Sequence, residues 1–451
     1  MTAPVAIIGG GWAGCAAAIQ LTNARIPVVL YESAPELGGR ARRVERDGLL
    51  LDNGQHLLLG AYAQTLSLLT ELHGERLARA AVIRRPLTMV PFSCGQRDAL
   101  TLRSRSAPGR LGLLVGLLAA RGLSFRERIA NILWFRRIER SAFARPADET
   151  VTQMLASLPP RVAELVWAPL CLAALNTPVS AASSQVFANV LRAAFAGAGD
   201  ASDFVLPATD LTDLLPAAAA RYVQANGGGV MTRAHARVLQ ASSDGVTLAV
   251  ESKAQSVQAV IVAVGPHQLA DTFGPELLRD NAALASAIGA MQLLRYEPIV
   301  TIWLGYGATV QLPAPIARLD DAPGQWVVDR PDVLRRSPGA PVDVPIRQLL
   351  AVIISASGTH MKLPHATLVA AVDSQLRRLQ PSLPVCIWSW VVAEKRATYA
   401  CTPGRPRPTG VRLAPRVYLA GDYVDREYPA TIEAAVRSGM AAAEAVEADQ
   451  S

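Results

Sequence analysis

Val5-Ala6-Ile7-Ile8, followed by Gly9-Gly10-Gly11-Trp12-Ala13-Gly14, is the stretch that decides the fold. Four apolar residues without alternation suit a strand buried on both faces, as in parallel sheets. The glycines fit the pattern G-x-G-x-x-G, and Cys15 to Leu21 continues with helical character. A second apolar run, Val28 to Tyr31, ends at Glu32, eighteen residues past Gly14. Strand, glycine turn, helix, strand and acid in this order form a dinucleotide site. Gly9, Gly11 and Gly14 permit the tight turn and close approach of backbone to a pyrophosphate, with Trp12 and Ala13 opening the helix. The helix start offers free N–H groups and a positive dipole end. Glu32 stands where a carboxylate can accept both ribose hydroxyls. A carboxylate there repels a 2′-phosphate, so FAD or NAD is favoured over NADP.

The residues after Glu32 separate FAD from NAD. Ser33 to Leu37 lead into Gly38-Gly39-Arg40-Ala41-Arg42, an E-x5-G-G-R run. It resembles the extended fingerprint of the amine oxidase and carotenoid desaturase superfamily of flavoproteins. That resemblance implies FAD, with Gly39 and Arg40 approaching its phosphates, a role suited to a guanidinium fork. Near the C-terminus, Val417 to Ala420 is an apolar run ending in Gly421-Asp422, and Tyr428-Pro429-Ala430-Thr431-Ile432-Glu433 opens a last helix. By the same resemblance, Asp422 holds the ribityl chain. Ala430, Thr431 and Ile432 then face the flavin N1–C2=O edge, where negative charge gathers on reduction. Residues 227–238 and 259–266 look like the superfamily's middle strands, with Val238 beside the adenine. A second G-x-G-x-x-G is missing, so no separate NADPH site is expected.

The expected fold is α/β: an FAD-binding Rossmann-type domain interleaved with a mixed α+β substrate domain. The first is discontinuous, from residues 1–75, 205–270 and 385–451. The second comes from 76–204 and 271–384. Its first part is rich in Leu, Ala and Arg and reads as helical. Its second part holds β-type runs at 299–304 and 349–354, expected as a sheet that roofs the flavin. Pro-rich stretches at 312–323, 331–345 and 402–408 read as loops.

Composition agrees with a large folded chain. Of 451 residues, 51% are hydrophobic and 18% charged, which excludes a disordered protein and leaves room for a sizeable core. Five cysteines, an odd number without C-x-x-C spacing, argue against a disulfide framework and a structural zinc, and for a reducing, cytoplasmic compartment. No metal ligand set is expected. The net charge is +7, yet only three of the 44 basic residues are lysines. That bias says little about a partner, and a nucleic-acid role has only the charge in its favour.

Other segments point to one branch of the superfamily. Leu51 to Tyr62, with Asp52-Asn53-Gly54-Gln55-His56 inside it, Trp167 to Pro178, Gln185 to Leu191, Ser202 to Pro207, Glu394 to Thr398 and Pro429 to Glu433 together resemble bacterial hydroxysqualene dehydroxylases. The likeness covers essentially the whole chain. It implies reductive removal of the allylic hydroxyl of hydroxysqualene, a hydrophobic C30 isoprenoid, to give squalene. An electron donor outside the chain must recharge the FAD. Hydroxide leaves poorly, so an acid must protonate it. By the resemblance, Gly54, Gln55 and His56 pass close to the isoalloxazine. His56, as imidazolium, is the first candidate for the acid. Gln55 could bind the hydroxyl or the flavin, and Tyr428 is the next candidate donor, ahead of Asp203 and Tyr423. Two other readings stand beside this one: a flavin-dependent isoprenoid desaturase, and a non-catalytic flavin-bearing isoprenoid carrier. An amine oxidase fits less well, since paired aromatics by the flavin motifs are missing.

The longest strongly apolar run, Leu111 to Ala120, is half the length needed to span a bilayer. Residues 121–145 follow it with seven arginines and with Phe125, Trp134, Phe135 and Phe143 between them. This combination suits an interfacial helix on an anionic membrane, and so a peripheral location on the inner face.

Overall fold

A computed structural model describes residues 3–93, 99–103, 110–197, 199–330, 335–336, 345–405, 408, 410–428 and 430–450. Cys94, most of the Pro-rich stretch at 331–345, and Pro429 lie outside the described residues.

The chain opens with β1 (Val5–Ile8), α1 (Trp12–Asn23), β2 (Val28–Tyr31), β3 (Leu49–Asp52) and α2 (Ala63–Ala80). A helical stretch follows, chiefly α3 (Arg110–Leu118), α4 (Phe125–Arg140), α5 (Ala168–Leu175) and α6 (Ser184–Ala196). Then come β4 (Gly229–Met231), β5 (Ala236–Ala241), β6 (Ala259–Val262), β7 (Tyr296–Tyr306), β8 (Ile316–Arg318), β9 (Trp326–Asp329), β10 (Gln348–Ser355) and β11 (Cys386–Tyr399). The end of the chain is β12 (Arg412–Ala414), β13 (Val417–Leu419) and α7 (Ile432–Ala448).

Two sheets organise most of these strands, with β3 and β5 in smaller sheets of their own. The first has six strands in the order β4-β2-β1-β6-β13-β12. The first five run parallel, with Val5 opposite both Val28 and Ala259, and only β12 is antiparallel. β1 and β6 lie at the centre and are buried throughout, as their unbroken apolar runs require. One layer is thus assembled from three distant stretches of chain. α1 and α7 pack together beside it. A Cβ on Gly439 would come 2.1 Å from the Ala13 carbonyl oxygen, so these helices meet backbone to backbone.

The second sheet is antiparallel, in the order β8-β9-β10-β7-β11. Trp303 at its centre lies opposite Ala351 on one side and Trp390 on the other. β11 pairs with β7 along its length, so residues 386–399 belong to this sheet. After β11 the next strand in the nucleotide-binding layer is β12, which begins at Arg412. Its exposed edge and alternating burial, rather than a buried apolar run, give β11 a sequence pattern that does not announce its partner.

The helical stretch encloses an aromatic core. Trp134 and Trp167 have ring centroids 4.9 Å apart, and Phe135 stacks on Trp167 at 6.1 Å. Phe143, Phe187 and Phe195 complete the cluster. Three of the four aromatics expected on an interfacial face, Trp134, Phe135 and Phe143, are therefore core residues. Aromatics interleaved with arginine read alike in a sequence whether they face lipid or a neighbouring helix.

Candidate active site

The glycine turn builds a cradle. Gly9 has φ +108°, and a Cβ there would lie 2.7 Å from the Ala263 carbonyl oxygen. A Cβ on Gly14 would fall 1.9 Å from the Gly9 oxygen, so the helix can start this close to β1 only with glycine. Gly11 caps α1 and bridges Gly38. A Cβ on Gly11 would meet nothing nearer than the Gly39 Cα at 3.9 Å. Gly11 and Gly39 thus meet at close range, a Cβ on Gly39 lying 3.3 Å from the Gly11 Cα, and leave a side-chain-free groove at a helix N-terminus. Glu32 stands at its edge with its carboxylate held by the Gly10 and Ala34 N–H groups, each 2.7 Å away. Trp12 and Ala13 serve packing: the indole donates to the Ala41 carbonyl, and Ala13 lies under Gly439. The side-chain-free groove, the anchored carboxylate and the first-turn N–H groups fit the pyrophosphate and ribose of FAD.

The far ends of the chain meet at this groove. Arg40 and Asp422, 382 residues apart, form an ion pair of 2.5 Å, and Arg40 also donates to the Ala397 carbonyl at 3.0 Å. Gly421 has φ +152°, and its N–H donates to Ser438 Oγ on α7. Thr431 caps α7 by accepting from the Ala434 N–H. The helix therefore begins beside the Arg40–Asp422 pair, and Ala430, at φ +64°, turns the chain into it. Glu433 is not free to serve a ligand. It is buried and accepts from the Gln64 and Thr65 N–H groups and the Thr65 hydroxyl at the start of α2.

The loop after β3 runs from Asn53 to His56. Asn53 fastens it to the Arg40 segment by bonds to the Arg40 carbonyl and the Arg42 N–H. Gly54 takes φ +153°. The Gln55 N–H donates to Thr301 Oγ1 on β7 at 3.1 Å, which sets the antiparallel sheet against the loop. The Gln55 side chain is engaged at both ends: its amide nitrogen donates to the His56 carbonyl, and its oxygen accepts from Arg330 at 2.8 Å. Arg330 is itself 2% exposed and also donates to the Pro207 carbonyl.

His56 is half-buried, with Nδ1 3.0 Å from the Gly54 carbonyl oxygen. A carbonyl accepts only, so Nδ1 carries the proton and Nε2 is left as the acceptor. Burial pulls the imidazole down to about 4. The Gly54 bond pushes the other way, and the Arg330 and Arg40 guanidiniums deepen the depression. His56 is therefore mostly neutral near pH 7, and its imidazolium is a minor form there. Just behind it, fully buried Asp52 accepts from the Leu211 N–H, while its other oxygen has no hydrogen-bond partner. Burial raises this carboxyl to about 7, against the pull of the Leu211 bond and Arg330.

Other expected residues lie elsewhere. The Tyr428 ring lies 5.0 Å under the Arg437 guanidinium, with Arg192 of α6 in reach of its hydroxyl, and its N–H donates to Asp425. These partners tie it to α6 and α7, not to His56. Val238 has its side chain wholly in the core and its carbonyl taken by the Gly274 N–H. Arg330 and Thr301 had no motif around them. A lone arginine or threonine far along the chain gives no sign of the loop it will hold.

The comparisons with known proteins complete the picture. A family model described as flavin-containing amine oxidoreductase matches residues 12–447. The chain belongs to this family. It is accordingly an FAD-dependent oxidoreductase, in keeping with the cradle described above. Among curated proteins it is 28% identical to the hydroxysqualene dehydroxylase of Rhodopseudomonas palustris, over 99% of each chain. It is also 28% identical to that of Sinorhizobium fredii, over 98% and 97%. The 15-cis-phytoene desaturase of Synechococcus elongatus is 24% identical over 99% and 96%. Among solved structures, the fold matches cyclohexylamine oxidase from Brevibacterium oxydans with a TM-score of 0.69 at 16% identity, over the whole of both chains. A putrescine oxidase solved with putrescine gives 0.69 at 17%, over 99% of each.

Proposed function

We propose that this oxidoreductase converts hydroxysqualene to squalene. The observation that carries the reading is likeness across the full chain to three hydroxysqualene dehydroxylases, at 24–28% identity. In the reaction the allylic C–O bond breaks and a C–H bond forms at the same site. The hydroxyl leaves as water, which takes one proton. Reduced FAD supplies the hydride, and a donor outside the chain restores it. The remaining tasks fall to side chains. Gln55, locked between the His56 carbonyl and Arg330, fixes the loop that faces the substrate. His56 Nε2 meets the hydroxyl, and the small imidazolium population is a strong acid that protonates it as the bond breaks. The antiparallel sheet behind Thr301 supplies apolar wall and excludes water.

A second reading is an isoprenoid desaturase, favoured by likeness over the full chain to two carotenoid desaturases at 23–24% identity. One experiment separates them. Photoreduced holoenzyme is mixed anaerobically with hydroxysqualene, and flavin oxidation and squalene are followed together. We expect one squalene per flavin oxidised, and turnover when reductant is in excess. Squalene without flavin oxidation would remove the hydride role. Release of a single equivalent despite excess reductant would favour a carrier. No reaction with hydroxysqualene, but reduction of oxidised enzyme by a more saturated isoprenoid, would establish the desaturase.

A further inference from the structure

Glu394 to Thr398, one of the stretches that mark the branch, closes β11. From Ile299 to Gly305 the register of β7 with β11 is unbroken, with Ile299 opposite Glu394, Thr301 opposite Val392 and Trp303 opposite Trp390. Opposite residues point to one face of a sheet, and alternate residues along a strand share it. Glu394 and Thr301 therefore stand on the same face as diagonal neighbours, about 7–8 Å apart. This face meets the Asn53–His56 loop, since Thr301 Oγ1 accepts from the Gln55 N–H. A Cβ on Gly54 would lie 3.5 Å from that same oxygen and 3.8 Å from His56 Cε1, so the imidazole stands beside Thr301.

The charges around His56 come from three parts of the chain: Arg40 between β2 and β3, Arg330 after β9, and Glu394 on β11. Burial disfavours the imidazolium most, and both guanidiniums add to that. Glu394 opposes them, together with the Gly54 carbonyl. Its carboxylate is half-buried and accepts from the Arg396 N–H at 3.0 Å. Lys395, the next residue along the strand, points to the other face. We propose that Glu394 is a positioning residue for the His56 acid: across Thr301 it carries the counter-charge of the imidazolium, and so sets how much of that acid the enzyme holds at neutral pH. The inference rests on His56 as the proton donor proposed above, but the titration of His56 tests it without substrate.

The test follows the His56 ring by NMR in oxidised holoenzyme with isotope-labelled histidine, its resonance identified by its loss in His56→Gln. Glu394→Gln keeps an oxygen for the Arg396 N–H, so it removes the charge without releasing that contact. It should retain FAD and lower the His56 midpoint, so that the imidazolium becomes about three- to tenfold rarer at neutral pH. Glu394→Asp, which keeps the charge, should restore most of that loss. In single-turnover squalene formation, Glu394→Gln should be slower by the same factor, with the pH dependence equally steep. In a His56→Gln background it should cost nothing further, because it acts through the imidazole. An unchanged His56 midpoint in Glu394→Gln with FAD bound would overturn the proposal, and so would an equal loss of rate with and without His56. Glu394→Ala removes the same charge and carries the same prediction where Glu394→Gln does not fold. A lowered midpoint, with no squalene formed by wild type, would uphold the counter-charge and remove the dehydroxylase reading.

Discussion

At the scale of single residues, His56 carries the sharpest consequence. Its imidazole is held down to about 4, chiefly by burial. At neutral pH the unfolded chain binds this proton more readily than the folded one, so the group gives the native state no charge to use at rest. If the imidazolium is nevertheless the acid, its population falls about tenfold for each pH unit above 4, to about one molecule in a thousand at pH 7. Single-turnover squalene formation should then rise about a hundredfold between pH 8 and pH 6, and the rise should vanish in His56→Gln. His56→Gln should lose about 10²–10⁴-fold in rate at pH 6 while keeping FAD, because the cradle lies elsewhere. A flat wild-type profile would move the donor to another group. This environment could not be read from the loop sequence. Asn53 to His56 marks the loop, but the burial that chiefly depresses the imidazole is made by distant chain, and one of the two guanidiniums that add to it, Arg330, lies 274 residues later.

Among elements, the nucleotide-binding layer was legible because its signals are local. β1, the glycine turn, α1, β2 and Glu32 follow one another within 28 residues, and each buried strand shows its burial in composition. The antiparallel sheet was legible only in its central strands, whose apolar runs at 299–304 and 349–354 became parts of β7 and β10. Edge strand β11 and the clamps between elements depend on distant partners and leave no pattern. Glu433 is the clearest clamp. It lies in the first turn of α7 and accepts three hydrogen bonds from the N-terminus of α2, where its charge also meets the helix dipole. Glu433→Ala strips three donors, two of them buried, of their acceptor, so we expect a loss of about 2–4 kcal/mol in urea unfolding of the holoprotein. Glu433→Gln should recover part of it, keeping an acceptor but not the charge. Equal unfolding midpoints for wild type and Glu433→Ala would show that the two helices are held together by packing alone.

The whole molecule presents one face that its interior does not explain. No helix among the described residues is long and apolar enough to cross a membrane. Yet Phe125 is 69% exposed, Leu133 62%, Leu118 47% and Val115 40%, all within α3 and α4. On α4, Trp134, Phe135 and Ile138 turn to the core, while Phe125, Arg126, Leu133, Arg136, Arg137 and Arg140 turn outward. At about 100° per residue these outward positions share roughly a third of the helix circumference. Apolar tips ringed by arginine on one arc match the interface of an anionic bilayer, with the apolar groups in the acyl boundary and the guanidiniums at the phosphates. The fully buried Trp134 is not part of this surface, so the apolar contribution is modest and charge must carry much of the binding. A hydrophobic isoprenoid substrate gives such contact a use, since it would be drawn from the bilayer. We therefore expect the holoprotein to co-sediment with vesicles containing anionic lipid, and to be released as salt shortens the Debye length to below about 8 Å. The triple replacement Arg136→Gln, Arg137→Gln and Arg140→Gln should weaken binding at low salt by about 1 kcal/mol for each charge removed, with flavin content intact. Phe125→Ser should weaken it at every salt concentration, because that loss is apolar. Wild type and triple variant sedimenting alike at both low and high salt would exclude this face as the electrostatic anchor.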